Sequence, residues 1–529
     1  MLPQKIAHLD LKGIQRRPDE LLRHLEWLGD LGYDAILVEY EDRFPFHTAR
    51  FAIAPDEVWT REFHREFLDH AAACGLAVIP LQQSLAHLEY ALRWERYREH
   101  GITDPLSHDQ IESTTLHLGR EQSRRWMKSL LREIMEAHPD SPYIHLGMDE
   151  SWSLGVYARG GGVAPLALFL DWLEELCAFC HGMGRTPLIW SDMLEDHLEP
   201  GILERLRALR EKVVLVVWDY LASERPAAVV RFAGWRTSRH RAAAMREDGA
   251  DHLKPHHLWM EDWAPEIAAL ARPYRAGDHF MESLFQAAVW KQLGFRVLGA
   301  SAICIMAEGA LLPAAHRRMA NIERWKQCRT GWQLDGLITT AWARGGTFHP
   351  PTLIPDLLLP LWEYAAGGEN VAAFRGIPRE ELHALLVEAG RCAEGGCSAA
   401  QLQQRLEELS PLVESHREEW ETWRLIVETL AARARVESLV AEARKSRYAN
   451  RMTRVEWGCR LDRCREMRRR YPELRRRVAR HLEKRYTGTA LHEWLANLFD
   501  VPLRDLEEAE RLIAAYLTES TARFSETSS

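Results

Sequence analysis

Residues 143–150 read YIHLGMDE, and residues 35–40 read AILVEY; each is a short apolar run that ends in acidic side chains. Runs of this length, bounded by polar or turn residues, are typical of strands buried in a parallel sheet. Six further short apolar runs occur along the chain: IAHLDL (6–11), AVIPLQ (77–82), PLIWSD (187–192), VVLVVWD (213–219), SAICIMAE (301–308) and GLITTAW (336–342). Eight parallel strands are the number that closes a (β/α)8 barrel.

The segments between these runs have the periodicity of amphipathic helices. In DELLRHLEWLGDLGY (19–33), leucines recur at intervals of three and four residues and form one apolar stripe. Gly32 and Gly75 follow such segments, where glycine commonly ends a helix. The alternation of strand and helix predicts an α/β fold, a TIM barrel that we assign to residues 1–365.

The pattern changes after Trp362, and nearly all of the chain from Arg379 to Tyr516 has helical periodicity. We therefore expect a C-terminal α-helical domain over residues 366–518 and a disordered tail over residues 519–529. The helical domain is expected either to cover one edge of the barrel or to form a homodimer contact, and the sequence leaves both open. Its basic segment, residues 467–486, also contains glutamates, which favours a solvated helix face over a nucleic-acid site.

Composition narrows the classes of partner. The formal net charge is −9, so the chain has no general attraction to nucleic acid or to anionic membranes. Charged residues interrupt the N-terminal residues MLPQKIAHLDLKG, and no stretch approaches eighteen apolar residues, so neither a signal peptide nor a membrane span is expected. The nine cysteines, an odd number, are scattered, which predicts reduced thiols and a cytoplasmic protein. Cys177 and Cys180, the one close pair, are expected to pack in a helix core.

Polar and aromatic side chains follow most of the predicted strands. Because catalytic groups of such barrels lie at the carboxyl ends of several strands, these positions predict the active site. They are Asp10 and Lys12 after the first strand, Glu39, Glu41 and Asp42 after the second, His87 beyond the third, Asp149 and Glu150 after the fourth, Trp190 and Asp192 at the fifth, Trp218, Asp219 and Tyr220 at the sixth, and Trp342 and Arg344 at the eighth.

Several of these segments also resemble one family. HLGMDE (145–150) resembles the H-x-G-x-D-E signature of glycoside hydrolase family 20, the β-N-acetylhexosaminidases. Six other segments are similar to its hexosaminidase D branch: HLDLKG (8–13), EYEDRFPF (39–46), SLAHLEY (84–90), WSDML (190–194), LGASA (298–302) and TAWARG (340–345). The resemblance covers roughly residues 1–360, and the segments occur in the order of the family.

The resemblance implies an exo-acting hydrolase that removes terminal β-linked GlcNAc or GalNAc with retention of configuration. In this family the 2-acetamido oxygen of the substrate attacks the anomeric carbon and forms an oxazolinium intermediate, so no enzymic nucleophile and no cofactor are required. Glu150 would act as the general acid and then as the base for water. Asp149 would stay ionised, orient the acetamide N–H and balance the developing positive charge.

The other strand-end residues are expected to bind the sugar. Flat indole rings can pack against the C–H groups of a pyranose, which suggests that Trp218, Trp342 and Trp190 form the pocket walls. The resemblance implies that the Tyr220 phenol hydrogen-bonds the acetamide oxygen and that His87 supports the carboxylates. Asp192 would contact either a sugar hydroxyl or a neighbouring residue, and Asp10 and Arg344 are further substrate-binding candidates. His145, earlier in its strand, is expected to belong to the core.

The chain departs from the wider family at two positions. Secreted members usually carry an arginine after the first strand and a glutamate after the eighth, where this chain has Lys12 and Arg344. The preference between the glucosamine and galactosamine configurations is therefore left open.

Other interpretations of the same residues are a metal-dependent barrel hydrolase and a carbohydrate-binding barrel without strong catalysis. The first would use His145, Asp149, Glu150 and the histidines of KPHHLWMED (254–262) as ligands, although their spacing fits no familiar site. The second would keep the barrel and use the helical domain to bind a partner. A third interpretation, a retaining enzyme for non-acetylated sugars, is disfavoured because such enzymes place their two carboxyls about 5 to 5.5 Å apart on different strands.

Overall fold

A computed structural model describes residues 2–52, 54, 57–102, 114–151, 153–154, 165–222, 232–233, 263–276, 281–305, 311–344, 351, 353–367, 373–396, 398–446 and 453–526. Eight parallel strands form a closed barrel, in which each strand pairs with its neighbour along the chain and the eighth pairs with the first. They are β1 (Lys5–Asp10), β2 (Ala35–Glu39), β3 (Ala77–Leu81), β4 (Tyr143–His145), β5 (Thr186–Trp190), β6 (Val214–Trp218), β7 (Arg296–Cys304) and β8 (Gly336–Ala341). The predicted TIM barrel is confirmed.

The seventh strand begins earlier than the sequence pattern predicted. We placed it at residues 301–308, whereas β7 is Arg296–Cys304, and residues 306–308 lie outside the described part of the chain. Its first half contains Gly299, a residue that weakens a strand pattern. The glycine is required because a Cβ there would lie 2.3 Å from the ring of Trp325.

Helices surround the barrel, as their apolar stripes predict. The described helices of the barrel part are Pro18–Asp30, Arg61–Ala73, Glu89–Leu92, Glu95–Arg98, Glu121–Ala137, Pro165–Gly182, Asp192–Asp196, Leu203–Leu209, Pro265–Ala271, Phe285–Gln292, Ala315–Trp332 and Leu359–Ala366. The barrel interior is filled by side chains from alternating strand positions, including Ile6, Leu37, Leu188, Val214 and Ile338, all fully buried. This packed interior leaves the carboxyl ends of the strands as the place for a site.

The C-terminal region is helical, with Arg379–Ala393, Ala399–Leu409, Arg417–Ser446, Arg454–Leu482, Thr489–Leu495 and Val501–Glu526. The last helix extends to Glu526, into the segment that we predicted to be a disordered tail. No proline or glycine occurs between residues 503 and 526, so nothing in the backbone chemistry ends the helix at residue 518.

The helical region covers one edge of the barrel. A two-stranded antiparallel sheet joins Gln15–Arg16, after β1, to Tyr486–Thr487. Beside it, the fully buried carboxylate of Asp356 lies 3.1 Å from Nη1 of Arg16 and 2.8 Å from Nη1 of Arg485. This arrangement agrees with the first of the two roles expected for the helical domain; the homodimer contact stays a prediction. No described helix has the length and hydropathy required to cross a membrane.

Candidate active site

The backbone after β4 adopts an unusual conformation that presents Asp149 and Glu150 at the barrel mouth. Gly147, Met148 and Glu150 have φ angles of 66°, 74° and 49°. Left-handed φ values are uncommon outside glycine, and they cluster where a fold holds functional side chains. There is also no room for a side chain at residue 147, because a Cβ there would lie 1.8 Å from Oε1 of Gln83.

His87 lies between the two carboxylates. Its Nε2 is 3.4 Å from Oδ2 of Asp149 and 3.7 Å from Oε2 of Glu150. The backbone of His87 is also left-handed, with φ 53°. The imidazole, which the sequence placed after the third strand, is therefore directed at both predicted catalytic residues.

The acidic surroundings of His87 favour its charged form. Burial lowers the pKa of the imidazole, but the charge and hydrogen bond of Asp149 and the charges of Glu89 and Glu150 outweigh this effect and raise the pKa to about 10. His87 is therefore an imidazolium at neutral pH. Its positive charge faces the carboxyl groups of both Asp149 and Glu150 at the mouth of the barrel.

Asp192, just after β5, holds its neighbours in place. Its Oδ2 accepts a hydrogen bond of 3.0 Å from the backbone N–H of Glu150, and its Oδ1 accepts one of 3.3 Å from the Trp218 indole. Its burial, together with the charges of Asp149, Glu150 and Asp196, raises the pKa of this carboxyl well above its usual value. Of the two roles that the sequence left open, the structure shows the contact with neighbours.

Aromatic rings line the mouth, as the positions after β5, β6 and β8 predict. The rings of Trp218 and Tyr220 stack at 5.1 Å between centroids, and Tyr220 lies 6.3 Å from Trp342. Trp190 lies 5.9 Å from Trp342 and 4.5 Å from the ring of His145. The tryptophans differ in exposure, because Trp190 is fully buried whereas Trp218 and Trp342 are partly exposed. Trp190 thus forms the floor of the site, and the other two can form its walls.

The hydroxyl of Tyr220 is near the predicted catalytic pair. Burial raises the pKa of the phenol, hydrogen bonds with the side chains of Trp342 and Thr340 lower it, and the charges of Asp149 and Glu150 raise it further, so it is elevated overall. The phenol therefore remains a neutral hydrogen-bond donor at neutral pH.

A buried ionic cluster supports the mouth below these residues. Nζ of Lys12 lies 3.1 Å from Oδ1 of Asp10, 3.0 Å from Oε1 of Glu39 and 3.7 Å from Oε1 of Glu41. Burial lowers the pKa of Lys12, but these three carboxylates raise it well above its usual value. Because the Lys12 side chain is only 6% exposed, it has a structural role here. Sequence reasoning noted these polar positions but did not predict that they bind one another.

Asp10 and Arg344, two of the predicted substrate-binding residues, both contact other segments of the chain. The side chain of Asp10 is fully buried, and its two oxygens accept backbone N–H groups from Lys12 at 2.9 Å and Ala343 at 2.8 Å. Asp10 therefore braces the end of β1 against the segment that follows β8, and its contact with a sugar stays a prediction. Arg344 contacts Glu493 of the helical domain, 3.1 Å from its Nη2 to Oε2, a contact that the sequence did not predict.

His145 is fully buried, as the sequence predicts for a core residue. Burial lowers its pKa to about 3, so the ring is neutral, and its Nδ1 accepts a hydrogen bond of 3.0 Å from the N–H of Gly147. Among the described residues, no group of three or more His, Cys, Asp or Glu side chains is arranged to hold a metal. Residues 254–262, the other part of the metal-site interpretation, lie outside the described residues.

The sequence and the fold were compared with known proteins. Residues 45–237 match the model of glycosyl hydrolase family 20, catalytic domain. Hexosaminidase D from Bos taurus is 30% identical over 233 residues, which cover 41% of this chain and 62% of the bovine protein. Hexosaminidase D from Homo sapiens is 30% identical over 241 residues, which cover 41% of this chain and 45% of the human protein. The matched region spans about half the length of these curated relatives.

Two solved structures are among those similar to this chain. A β-N-acetylhexosaminidase from Bacteroides fragilis has a TM-score of 0.41 and 14% identity, covering 69% of this chain and 66% of that chain. A family 20 exo β-N-acetylglucosaminidase from Vibrio harveyi, solved with N-acetylglucosamine, has a TM-score of 0.43 and 13% identity, covering 74% of this chain and 59% of that chain.

Proposed function

We propose that this chain, whose residues 45–237 match the model of the glycosyl hydrolase family 20 catalytic domain, is an exo-acting β-N-acetylhexosaminidase for terminal β-linked GlcNAc or GalNAc. The observation that carries the proposal is the arrangement of Asp149 and Glu150. The two carboxylates are adjacent on one strand end, share the His87 imidazolium and open into an aromatic mouth. The matched segment contains both residues and their supports at β5 and β6.

The adjacency of the carboxylates favours a substrate nucleophile. A retaining hydrolase with an enzymic nucleophile needs its two carboxyls on opposite sides of the scissile bond, which consecutive residues on one strand end do not provide. Such a pair can instead act on one side of the sugar, one group on the glycosidic oxygen and the other on the 2-acetamido group. This division requires a substrate that carries its own nucleophile.

The proposed reaction has two steps. Glu150 donates a proton to the glycosidic oxygen while the acetamide oxygen attacks the anomeric carbon, so the bond to the leaving group breaks and an oxazolinium forms. Asp149 accepts a hydrogen bond from the acetamide N–H and stabilises the positive charge of the ring. Glu150 then removes a proton from water, which attacks the same carbon and restores the acetamide with net retention of configuration.

The surrounding residues would prepare these two carboxylates. The His87 imidazolium contacts the Asp149 carboxylate, and Asp192 fixes the backbone of Glu150. Tyr220 would donate its phenolic proton to the acetamide oxygen, and Trp218 and Trp342 would pack against the sugar ring. None of these steps requires a cofactor.

We expect a cytoplasmic enzyme that acts on small glycosides or oligosaccharides, without nucleic-acid or membrane partners. The expectation of a reducing compartment comes from the odd number and scattered positions of the nine cysteines. Cys177 and Cys180 lie buried in a helix core. Burial raises the pKa of both of these thiols to about 12, which keeps them unreactive.

The test is hydrolysis of aryl β-N-acetylglucosaminide, aryl β-N-acetylgalactosaminide and aryl β-glucoside by the wild type and by Asp149→Asn and Glu150→Gln. We expect turnover of the acetamido sugars alone and a decrease in kcat of about 10²- to 10⁴-fold in Glu150→Gln, the usual contribution of a general acid. Asp171→Asn, which alters a carboxylate on an outer helix paired with Arg205, is the matched control and should keep full activity.

Two outcomes would contradict the proposal. Equal cleavage of the β-glucoside would show that the acetamido group is not the nucleophile. Binding of N-acetylhexosamine without turnover of any glycoside would instead favour the interpretation as a carbohydrate-binding barrel.

A further inference from the structure

One segment of the helical domain reaches the mouth of the barrel. We call residues 486–495 the arm; it consists of the short strand Tyr486–Thr487 and the helix Thr489–Leu495. The strand pairs with Gln15–Arg16, and the N–H of Arg17 donates a hydrogen bond of 2.8 Å to the carbonyl of Arg485. The arm is thus attached to the loop that follows β1.

A second contact fixes the start of the arm helix. The backbone N–H of Thr489 donates to the carboxylate of Glu57, which also pairs with Arg43. Gly488 makes this approach possible, because its φ is 95° and a Cβ there would lie 2.9 Å from Oε1 of Glu57. The arm helix is therefore held to barrel loops on both sides of Gly488.

The arm helix carries Glu493 to Arg344. Nη2 of Arg344 lies 3.1 Å from Oε2 of Glu493; the arginine side chain is 10% exposed and the glutamate side chain is 43% exposed. A guanidinium that is largely removed from water is stabilised by a charged acceptor, whereas an exposed carboxylate needs no such partner. The contact consequently orients the arginine more than the glutamate.

Arg344 directly follows two residues that lie at the proposed sugar pocket. Two residues earlier, the ring of Trp342 lies 4.8 Å from His8 and 5.9 Å from Trp190. One residue earlier, the N–H of Ala343 donates to Asp10 at the end of β1. These contacts fix the backbone just before Arg344, and Glu493 of the helical domain fixes the arginine side chain.

We infer that Glu493 is a positioning residue for Arg344 and that this pair binds a ring hydroxyl of the terminal sugar. The inference rests on the proposed function, which places that sugar at the barrel mouth. A sugar hydroxyl both donates and accepts hydrogen bonds, and a guanidinium with five N–H donors beside a half-exposed carboxylate offers both partners. The acetamido group is assigned to Asp149, so the pair would bind a hydroxyl away from C2.

The experiment compares wild type, Glu493→Gln, Arg344→Gln and the double variant on aryl β-N-acetylglucosaminide and its 3-, 4- and 6-deoxy analogues. Because hydrogen bonds to charged groups are worth more than neutral ones, we expect KM to rise about tenfold or more in each single variant. The expected change in kcat is smaller. One deoxy analogue should lose its disadvantage in both variants, and the double variant should be no worse than Arg344→Gln, because the two residues act as a unit.

The matched control is Asp500→Asn. It breaks another arginine–carboxylate pair of the helical domain, Arg475–Asp500 at 2.8 Å, whose aspartate has a similar exposure of 45%. Its KM and its ranking of the deoxy analogues should equal those of the wild type. If Glu493→Gln acted by loosening the whole helical domain, Asp500→Asn should raise KM as well. If Glu493 positions Arg344, Asp500→Asn should leave KM unchanged.

Calorimetric titration with N-acetylglucosamine separates this inference from the proposed function. Weaker binding in Glu493→Gln supports the inference even if the wild type fails to hydrolyse glycosides. An active wild type with unchanged KM, binding and deoxy ranking in Glu493→Gln overturns the inference and leaves the proposed function intact. A wild type that neither binds nor hydrolyses the sugar overturns both.

Discussion

Asp192 accepts a hydrogen bond from the backbone N–H of Glu150, with 3.0 Å between its Oδ2 and that nitrogen. Its second oxygen accepts the indole N–H of Trp218, so one buried carboxyl joins the proposed acid to an aromatic wall. The left-handed backbone of Glu150 needs such a support, because this conformation is unfavourable for a residue with a side chain.

Asp192→Ala should therefore reduce both catalysis and stability. The substitution removes the acceptor of two partly buried donors, at up to about 1–3 kcal/mol each, and releases the backbone of Glu150. We expect kcat/KM to decrease at least about tenfold together with a lower thermal midpoint. Asp335→Ala is the control, because Asp335 accepts the backbone N–H of Val297 on the outer side of β7 and should affect stability alone. Wild-type kcat/KM in Asp192→Ala would refute this role.

His87→Gln should move the pH–activity profile to higher pH. The substitution removes a positive charge that lies 3.4 Å from Asp149 and 3.7 Å from Glu150. Because the loss of a nearby cation makes a carboxyl group harder to ionise, each limb of a bell-shaped profile should shift upward. The measurement is kcat/KM between pH 4 and pH 9. A profile that keeps its position while only its height changes would show that His87 acts through shape and not charge.

The same interaction makes stability depend on pH. Because the pKa of His87 is raised in the folded state to about 10, its contribution to the free energy of unfolding is fully present below the unfolded pKa of about 6.5. This contribution is lost as pH rises through about 10. The stability difference between wild type and His87→Gln, measured by denaturant titration, should consequently be larger at pH 6 than at pH 10.

Gly147→Ala and Gly75→Ala form a matched pair at positive φ. Both substitutions impose the left-handed strain, about 1–2 kcal/mol. Only at Gly147 does the new Cβ meet another atom, 1.8 Å from Oε1 of Gln83, whereas nothing lies within 4 Å at Gly75. We expect Gly147→Ala to lose most activity because the Asp149–Glu150 turn moves, and Gly75→Ala to keep its activity with a lower thermal midpoint. Equal activities of the two variants would contradict this account of the turn.

Asp356→Asn should weaken the attachment of the helical domain. The carboxylate is fully buried and binds Arg16, Arg485 and Tyr486. Removal of its charge takes from Arg16 its carboxylate partner and leaves Arg485 with Glu20 and Glu419, and breaking a buried ion pair typically costs about 3–5 kcal/mol. Its burial raises the pKa, but the two arginines outweigh this effect and lower it. The stabilisation is therefore present above about pH 4 and lost as pH falls further.

Thermal unfolding and limited proteolysis of Asp356→Asn measure this effect. Glu428→Gln is the control, because Glu428 pairs with Arg477 on the exposed face of the helical domain and should change stability by less than about 0.5 kcal/mol. An equal loss of stability in both variants would mean that the buried cluster has no special role.

The barrel could be predicted from the sequence because each strand is a local pattern. All eight apolar runs overlap an observed strand. The largest error is at the seventh strand and arises from Gly299, where the ring of Trp325 in a later helix leaves no room for a side chain. The pairing of Gln15–Arg16 with Tyr486–Thr487 could not be predicted. It joins segments about 470 residues apart, and neither two-residue strand has a pattern of its own.

The site was predictable by strand position but not by contact. Asp149, Glu150, Asp192 and the aromatic residues follow strands whose ends meet at one mouth. The contacts of Lys12 and Glu493 depend instead on long side chains that bridge different elements, which residue spacing does not reveal. The left-handed backbones of His87, Met148 and Glu150 were equally hidden, because residues of these types carry no signal for that conformation.

The most direct test of the central claim is the rate of hydrolysis of aryl β-glucosaminides whose N-acetyl group carries zero, one, two or three fluorines. Each fluorine withdraws electrons from the amide oxygen, which the account makes the nucleophile. We predict that kcat/KM of the wild type falls with every added fluorine, while the leaving group and the rest of the sugar stay the same. A rate independent of fluorination would contradict the account, because the bond to the anomeric carbon would then be made by another group.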